Sequence, residues 1–284
     1  MKSFRAPFKT EFGIIAIAII ASGLWFCPGL LRSSGTAFAA AGIAQSGRHR
    51  AAQPRHTAEK TKEQPMPFRA GETLNYRVAW AAFSNAASLE LSVPERRDLY
   101  GFKTWHLRAV THTLNPVRRL FELDDQFDSY TDAATLESRQ FELHLNELGK
   151  ISDEVLRFSP SGQPRNSPGP VVIVAPGTRD PLGTLYALRA QDWRHAPDFT
   201  APVYDGRDLF DMRAHCEALS DYVKIAAGNF SATRVAVHVF QYEKEVSSIR
   251  FEIWIANDPA HTPVVIEATL PFGNIRAELL SAPK

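Results

Sequence analysis

From Phe68 onward, apolar residues recur at every second position. Leu74, Tyr76, Val78 and Trp80 alternate with Thr73, Asn75, Arg77 and Ala79, the pattern of a strand with one buried face. Ala87, Leu89, Leu91 and Val93 repeat it, with Phe83-Ser84-Asn85 as the expected turn. Pro94 to Gly101 reads as a polar loop, and Phe102 to Leu114 as a third strand with Trp105, Leu107 and Ala109 on one face. Strands joined by such short connections predict an antiparallel meander. Leu120 to Tyr130 is less regular. Arg139 to Leu145 alternates again, Gly149-Lys150 marks a hairpin tip, and Ile151 to Phe158 is the return strand. After a loop from Ser159 to Pro170, Val171 to Val174 is short and wholly apolar. The last third carries further strand patterns over 200–204, 209–219, 222–226, 232–242, 249–256, 263–270 and 273–280, with Asp205-Gly206 as a tight turn.

The period changes once. Leu182, Leu185, Tyr186 and Leu188 have helical spacing, Asp180 is suited to cap the helix and Pro181 to its first position, which predicts a helix over 181–190. The expected fold is mainly β, with about ten or eleven strands in one curved antiparallel sheet. It forms an open or nearly closed barrel with the helix at its mouth, because long sheets twist and unpaired edges are a liability.

The N-terminus follows a different pattern. Lys2, Arg5 and Lys9 precede an apolar run from Phe12 to Phe26, and Ala37-Phe38-Ala39 supplies a small-residue cleavage site. Together these predict a secretory signal over 1–39, cleaved after Ala39, and a periplasmic product. The alternative is an uncleaved anchor over 12–31, although a spanning helix needs about 20 apolar residues. Lipid attachment at Cys27 is disfavoured by the bulky Phe26 before it. Residues 40–67, rich in Arg, Lys and His and poor in large apolar side chains, are expected to be a disordered basic linker. A single β-rich domain is expected over 68–284.

Charge adds little. With 32 basic and 31 acidic residues, the formal net charge of +1 gives no argument for nucleic acid. Membrane contact is expected only through the N-terminal segment, should it be retained. Cys216 is the one cysteine left after cleavage, so the domain depends on its apolar core. Cys216 is expected to be a buried structural thiol.

The chemistry is sparse. H-E-x-x-H, C-x-x-C, G-x-S-x-G and phosphate-cradling glycine loops do not occur. His106 and His112 fall on one parity of one strand, while His195, His215, His238 and His261 are scattered, so neither metal nor cofactor is expected. Asp124, Asp125 and Asp128, with Asp132, form the densest acidic cluster. Paired carboxylates there could serve glycoside hydrolysis. The blander expectation is a polar loop whose acids pair with Arg118, Arg119 or Arg189. Tyr76, Trp80, Trp105, Tyr186 and Trp254, with Arg189 closing the helix, are the candidate lining of a ligand pocket.

Several segments form an ordered set along the chain. They are Gly71-Glu72 with Leu74, Tyr76, Val78 and Trp80; Phe121 before Asp125, Phe127 and Ser129; and Asp180 before Leu185, Tyr186 and Arg189. The closing part is Ile253-Trp254-Ile255, Asn257-Asp258, Pro263-Val264, Gly273-Asn274-Ile275 and Ala277-Glu278-Leu279. In this order and spacing they resemble an exported bacterial family known as domain of unknown function 3108. The resemblance implies an envelope protein with a curved sheet similar to lipoprotein-carrier half-barrels, and it carries over no catalytic residue. Function is then expected to be non-enzymatic binding of a lipid or other amphiphile. The alternatives are a polysaccharide-active enzyme using the acidic cluster, and an assembly scaffold that binds an envelope protein.

Overall fold

The computed structural model describes residues 65–159 and 171–281. The expected signal, its cleavage site, the alternative anchor and nearly all of the basic linker lie outside the described residues. The strands are β1 Glu72–Trp80, β2 Phe83–Leu99, β3 Phe102–Thr113, β4 Asp124–Asp132, β5 Ser138–Glu147, β6 Lys150–Ser159 and β7 Val172–Ile173. They continue with β8 Asp198–Tyr204, β9 Leu209–Ile225, β10 Gly228–Gln241, β11 Lys244–Ala256, β12 Pro263–Leu270 and β13 Gly273–Leu279. A single helical turn, α1 Val117–Leu120, precedes β4, and α2 Pro181–Ala190 lies between β7 and β8.

All 13 strands join one sheet in the order β7-β6-β5-β4-β3-β2-β1-β13-β12-β11-β10-β9-β8. The first and last strands are central neighbours, with Tyr76 opposite Leu279 and Trp80 opposite Ile275. The sheet therefore grows outward in both directions, and its two ends, β7 and β8, are joined in sequence through α2. Those ends come together without pairing to each other. The backbone of Arg179 lies between them: its N–H donates to Pro202 O at 3.0 Å and its carbonyl accepts from Tyr204 N at 2.9 Å. On the other side, Ser138 N donates to Thr178 O at 3.2 Å. Phe158 of β6 meets Tyr204 of β8 edge-on at 5.9 Å between centroids. The result is the nearly closed, curled sheet that the alternation implies.

The alternation also sets the faces. Leu74, Tyr76 and Val78, Leu89 and Leu91, and Ile253 and Ile255 all point into one apolar core. Three local expectations change. β2 runs through Leu99, where a loop is expected from Pro94, because a register shift between Ser92 and Glu95 accommodates the proline. Its charged run Glu95 to Asp98 is the exposed part of a hairpin strand. The first turn falls at Ala81-Ala82, with Ala81 at φ 48°, and Phe83 already opens β2. Residues 222–225 prolong β9 rather than starting a new strand.

Helix α2 has the predicted bounds. Asp180 caps it by accepting from Gly183 N at 2.8 Å. Every residue from Pro181 to Arg189 is buried, so the helix is enclosed on all sides. The same Asp180 carboxylate accepts the hydroxyls of Ser129 (2.5 Å) and Ser138, which tie the cap to β4 and β5. Burial pushes its pKa up. Gly183 lies against this wall, where an added Cβ would come within 2.9 Å of Thr131 Cγ2. From Ser138 at the start of β5 to Glu72 at the start of β1, α2 spans one mouth of the sheet. The hairpins 80–83, 147–150 and 270–273 and the turn α1 lie at the opposite mouth, as the antiparallel registers require.

Candidate functional site

The six candidate pocket residues do not share one surface. Tyr76 is fully buried and its hydroxyl donates to Pro263 O at 2.7 Å. Tyr186 is fully buried on α2. Phe68 packs edge-on to Tyr186 at 4.9 Å and to Trp105 at 5.2 Å. Burial pushes both tyrosine pKa values up. Arg189 lies over the rings of Phe68 and Tyr186 and pairs in a fork with Glu72, at 2.7 and 3.2 Å. It also donates to the carbonyls of His261 (3.1 Å) and Ala260 (2.9 Å). Arg189 does not face the acidic cluster, because the far end of α2 reaches β1 and the β11–β12 connection. These residues form the packed seat of the helical plug. Trp254 lies on the outer face, since Ile253 and Ile255 take the inner positions, and its indole donates to Asp221 Oδ2 at 3.0 Å.

Trp80 is different. It ends β1 on the inner face at the mouth opposite α2, half-buried, and stacks on Phe83 at 6.3 Å. Phe272 packs against the core at the neighbouring hairpin. On the same mouth, α1 and the β5–β6 tip leave Leu120, Leu148 and Ile151 exposed by 73, 63 and 72%. The Leu148 N–H donates to Glu122 O at 2.8 Å, which fixes that tip beside α1. Isolated exposed leucines are ordinary; these three apolar side chains stand on the same mouth as Trp80.

Strand alternation divides the acidic cluster. Asp124 and Asp128 project outward from β4, and Asp125 inward. Asp124 accepts from Arg118 at 2.8 and 2.7 Å and from His112 at 2.8 Å, and Arg118 holds its pKa down at about 2. Asp125 is 1% exposed, accepts from Asn146 N at 2.9 Å, and has no partner for Oδ2 among the described residues. Burial pushes its pKa up to about 7. Asp128 is buried against its charged form, yet hydrogen bonds from His106 (2.5 Å), Gln126 (2.6 Å) and Arg108 (2.7 Å) keep its pKa below the usual range.

Asp128 belongs to a polar network on the outer wall. His106 stacks on Tyr130 at 4.6 Å. Glu142 stands opposite Asp128 on β5, and His144 follows two residues on, donating from Nδ1 to Asp153 at 2.8 Å. The Asp153 bond raises the His144 pKa. His144 gives no sequence signal, because its partners come from three strands. Cys216 is half-buried with its thiol pKa raised by burial, and adjacent His215 instead meets Asp198 at 2.7 Å.

The motif order and the curled sheet have a counterpart among known proteins. The family model described as "Protein of unknown function (DUF3108)" matches residues 75–280. The chain belongs to this family. In DUF3108 terms, the match takes in all the elements described above except the first three residues of β1, Glu72 to Leu74, and the segment before it. A β-barrel-like protein of domain of unknown function DUF1849 from Brucella abortus has a similar fold: TM-score 0.50 and 10% identity, covering 74% of this chain and 95% of that one. Also similar are a candidate lipoprotein from Parabacteroides distasonis (TM-score 0.34, 12% identity, 77% and 97% covered) and a candidate exported protein with a YmcC-like fold from Bacteroides fragilis (0.29, 12%, 77% and 98%). No curated protein matches this DUF3108 chain. Among its described residues, no helix is long and apolar enough to cross a membrane.

Proposed function

We propose that this DUF3108 protein is an exported, non-enzymatic binding domain of the cell envelope that takes a lipid or similar amphiphile at the mouth of its curled sheet opposite α2. The observation that carries this reading is the apolar rim there. Trp80 and Phe83 stack at its inner edge, and Leu120, Leu148 and Ile151 stand exposed at its outer edge. An amphiphile fits such a rim by placing its apolar part over Trp80 and Phe83 and leaving its polar end in water. Export rests on the N-terminal signal pattern. Catalysis by the acidic cluster is disfavoured, because Asp124 and Asp128 are held in ion pairs and Asp125 faces the other way. Native mass spectrometry of the purified protein, with a fluorescent fatty acid as titrant, tests the reading. Wild type is expected to bind the probe, and Leu148→Ser with Ile151→Ser, both at exposed positions, to weaken binding about 10-fold or more, the loss of two apolar contacts. Failure of wild type to take up the probe, or equal binding by the double variant, would sink it.

A further inference from the structure

We propose that the outer wall formed by β4 and β5 binds one divalent transition-metal ion, Zn²⁺ by preference, through Asp128, Glu142 and His144. Asp128 and Glu142 are direct cross-strand partners on the same face. Carboxylates set opposite each other repel, so the pair favours a cation between them. Glu142 and His144, two residues apart on one strand, project to the same side. One potential ligand atom from each of the three residues lies within 4.8 Å of the others. His144 Nε2 stands 3.6 Å from a Glu142 carboxylate oxygen. Two ligands of a tetrahedral Zn²⁺ with bonds of about 2.0–2.1 Å are about 3.4 Å apart, so this pair is already close to ligand spacing.

Each ligand is also held from behind. Asp153 accepts the Nδ1 proton of His144 at 2.8 Å, which leaves the Nε2 lone pair directed at the carboxylates. The Gln140 amide donates to the other Glu142 oxygen. His106, Arg108 and Gln126 hold Asp128. Outer partners of this kind orient metal ligands and set their tautomers. Arg108 offsets one carboxylate, and three carboxylates (Asp128, Glu142, Asp153) against one guanidinium leave two negative charges for a divalent ion. The site lies on the opposite face of the sheet from the apolar interior and does not depend on the amphiphile reading.

The test uses the purified protein stripped with a chelator and titrated with Zn²⁺ alone by calorimetry, with Co²⁺ absorption as a second readout of tetrahedral coordination. One ion per chain is expected. His144→Ala and Glu142→Gln should each weaken binding by about 100-fold, and Asp153→Asn by about 10-fold. Glu142→Gln preserves shape and removes the repulsion, so its folding is secure, and circular dichroism checks each variant. His112→Ala, whose imidazole meets Asp124 on the same wall, should leave binding unchanged. The proposal is overturned by an absence of Zn²⁺ uptake, or by uptake that survives Glu142→Gln and His144→Ala.

Discussion

Exchanging Glu72 for glutamine alters one atom of a side chain, but it removes the one carboxylate that, among the described residues, meets Arg189, in a fork of 2.7 and 3.2 Å. The guanidinium side chain is 1% exposed and the Glu72 side chain 8%. Arginine does not release its proton within a protein, so the charge stays buried without its counter-ion. Breaking a buried pair from one side costs about 3–5 kcal/mol. The glutamine oxygen still accepts one hydrogen bond, returning about 1 kcal/mol. The expected loss is therefore about 2–4 kcal/mol. At about 2–4 °C per kcal/mol for a domain of this size, the thermal midpoint should fall by about 4–16 °C. Urea unfolding followed by tryptophan fluorescence gives the free energy directly. The paired change Glu72→Leu with Arg189→Met removes both charges and should unfold closer to wild type than Glu72→Gln does, because no uncompensated charge remains. A Glu72→Gln protein within about 0.5 kcal/mol of wild type, the range of ordinary surface substitutions, would refute the account of α2 as a plug latched by this pair.

Two further outcomes follow from the same packing. Gly183→Ala gains up to about 1 kcal/mol of helix propensity but drives a methyl group toward Thr131, an overpacking cost of about 1–3 kcal/mol; the urea midpoint should fall with the m-value unchanged. Asp125, with its pKa raised to about 7, binds a proton in the native state that the unfolded chain releases at about pH 4. Stability should therefore fall as pH rises from about 4 to 7, by up to about 1.4 kcal/mol per unit, and Asp125→Asn should flatten that slope; an unchanged slope in urea midpoints across this range counts against it.

The strands and the helix were legible in the sequence because their causes are local. Alternation over Leu74 to Trp80 and the spacing of Leu182, Leu185 and Leu188 need only neighbouring residues, and Asp180-Pro181 marks the helix start from within its own turn. The same local logic hid the continuation of β2 past Pro94, since a register shift is a property of two strands and not of one. What each side chain meets was decided by the tertiary structure. Arg189 reaches Glu72, 117 residues away, because α2 crosses the mouth toward β1. Trp254 turns outward because Ile253 and Ile255 occupy the inner face. Asp124 and Asp125, adjacent in sequence, end on opposite faces with opposite shifts in pKa. His144 acquires its neighbours only when β4, β5 and β6 lie in register. Periodicity fixes which face a residue occupies relative to its own strand, whereas partners and charge states depend on which strand is folded against it, and that is a long-range choice the sheet makes as a whole.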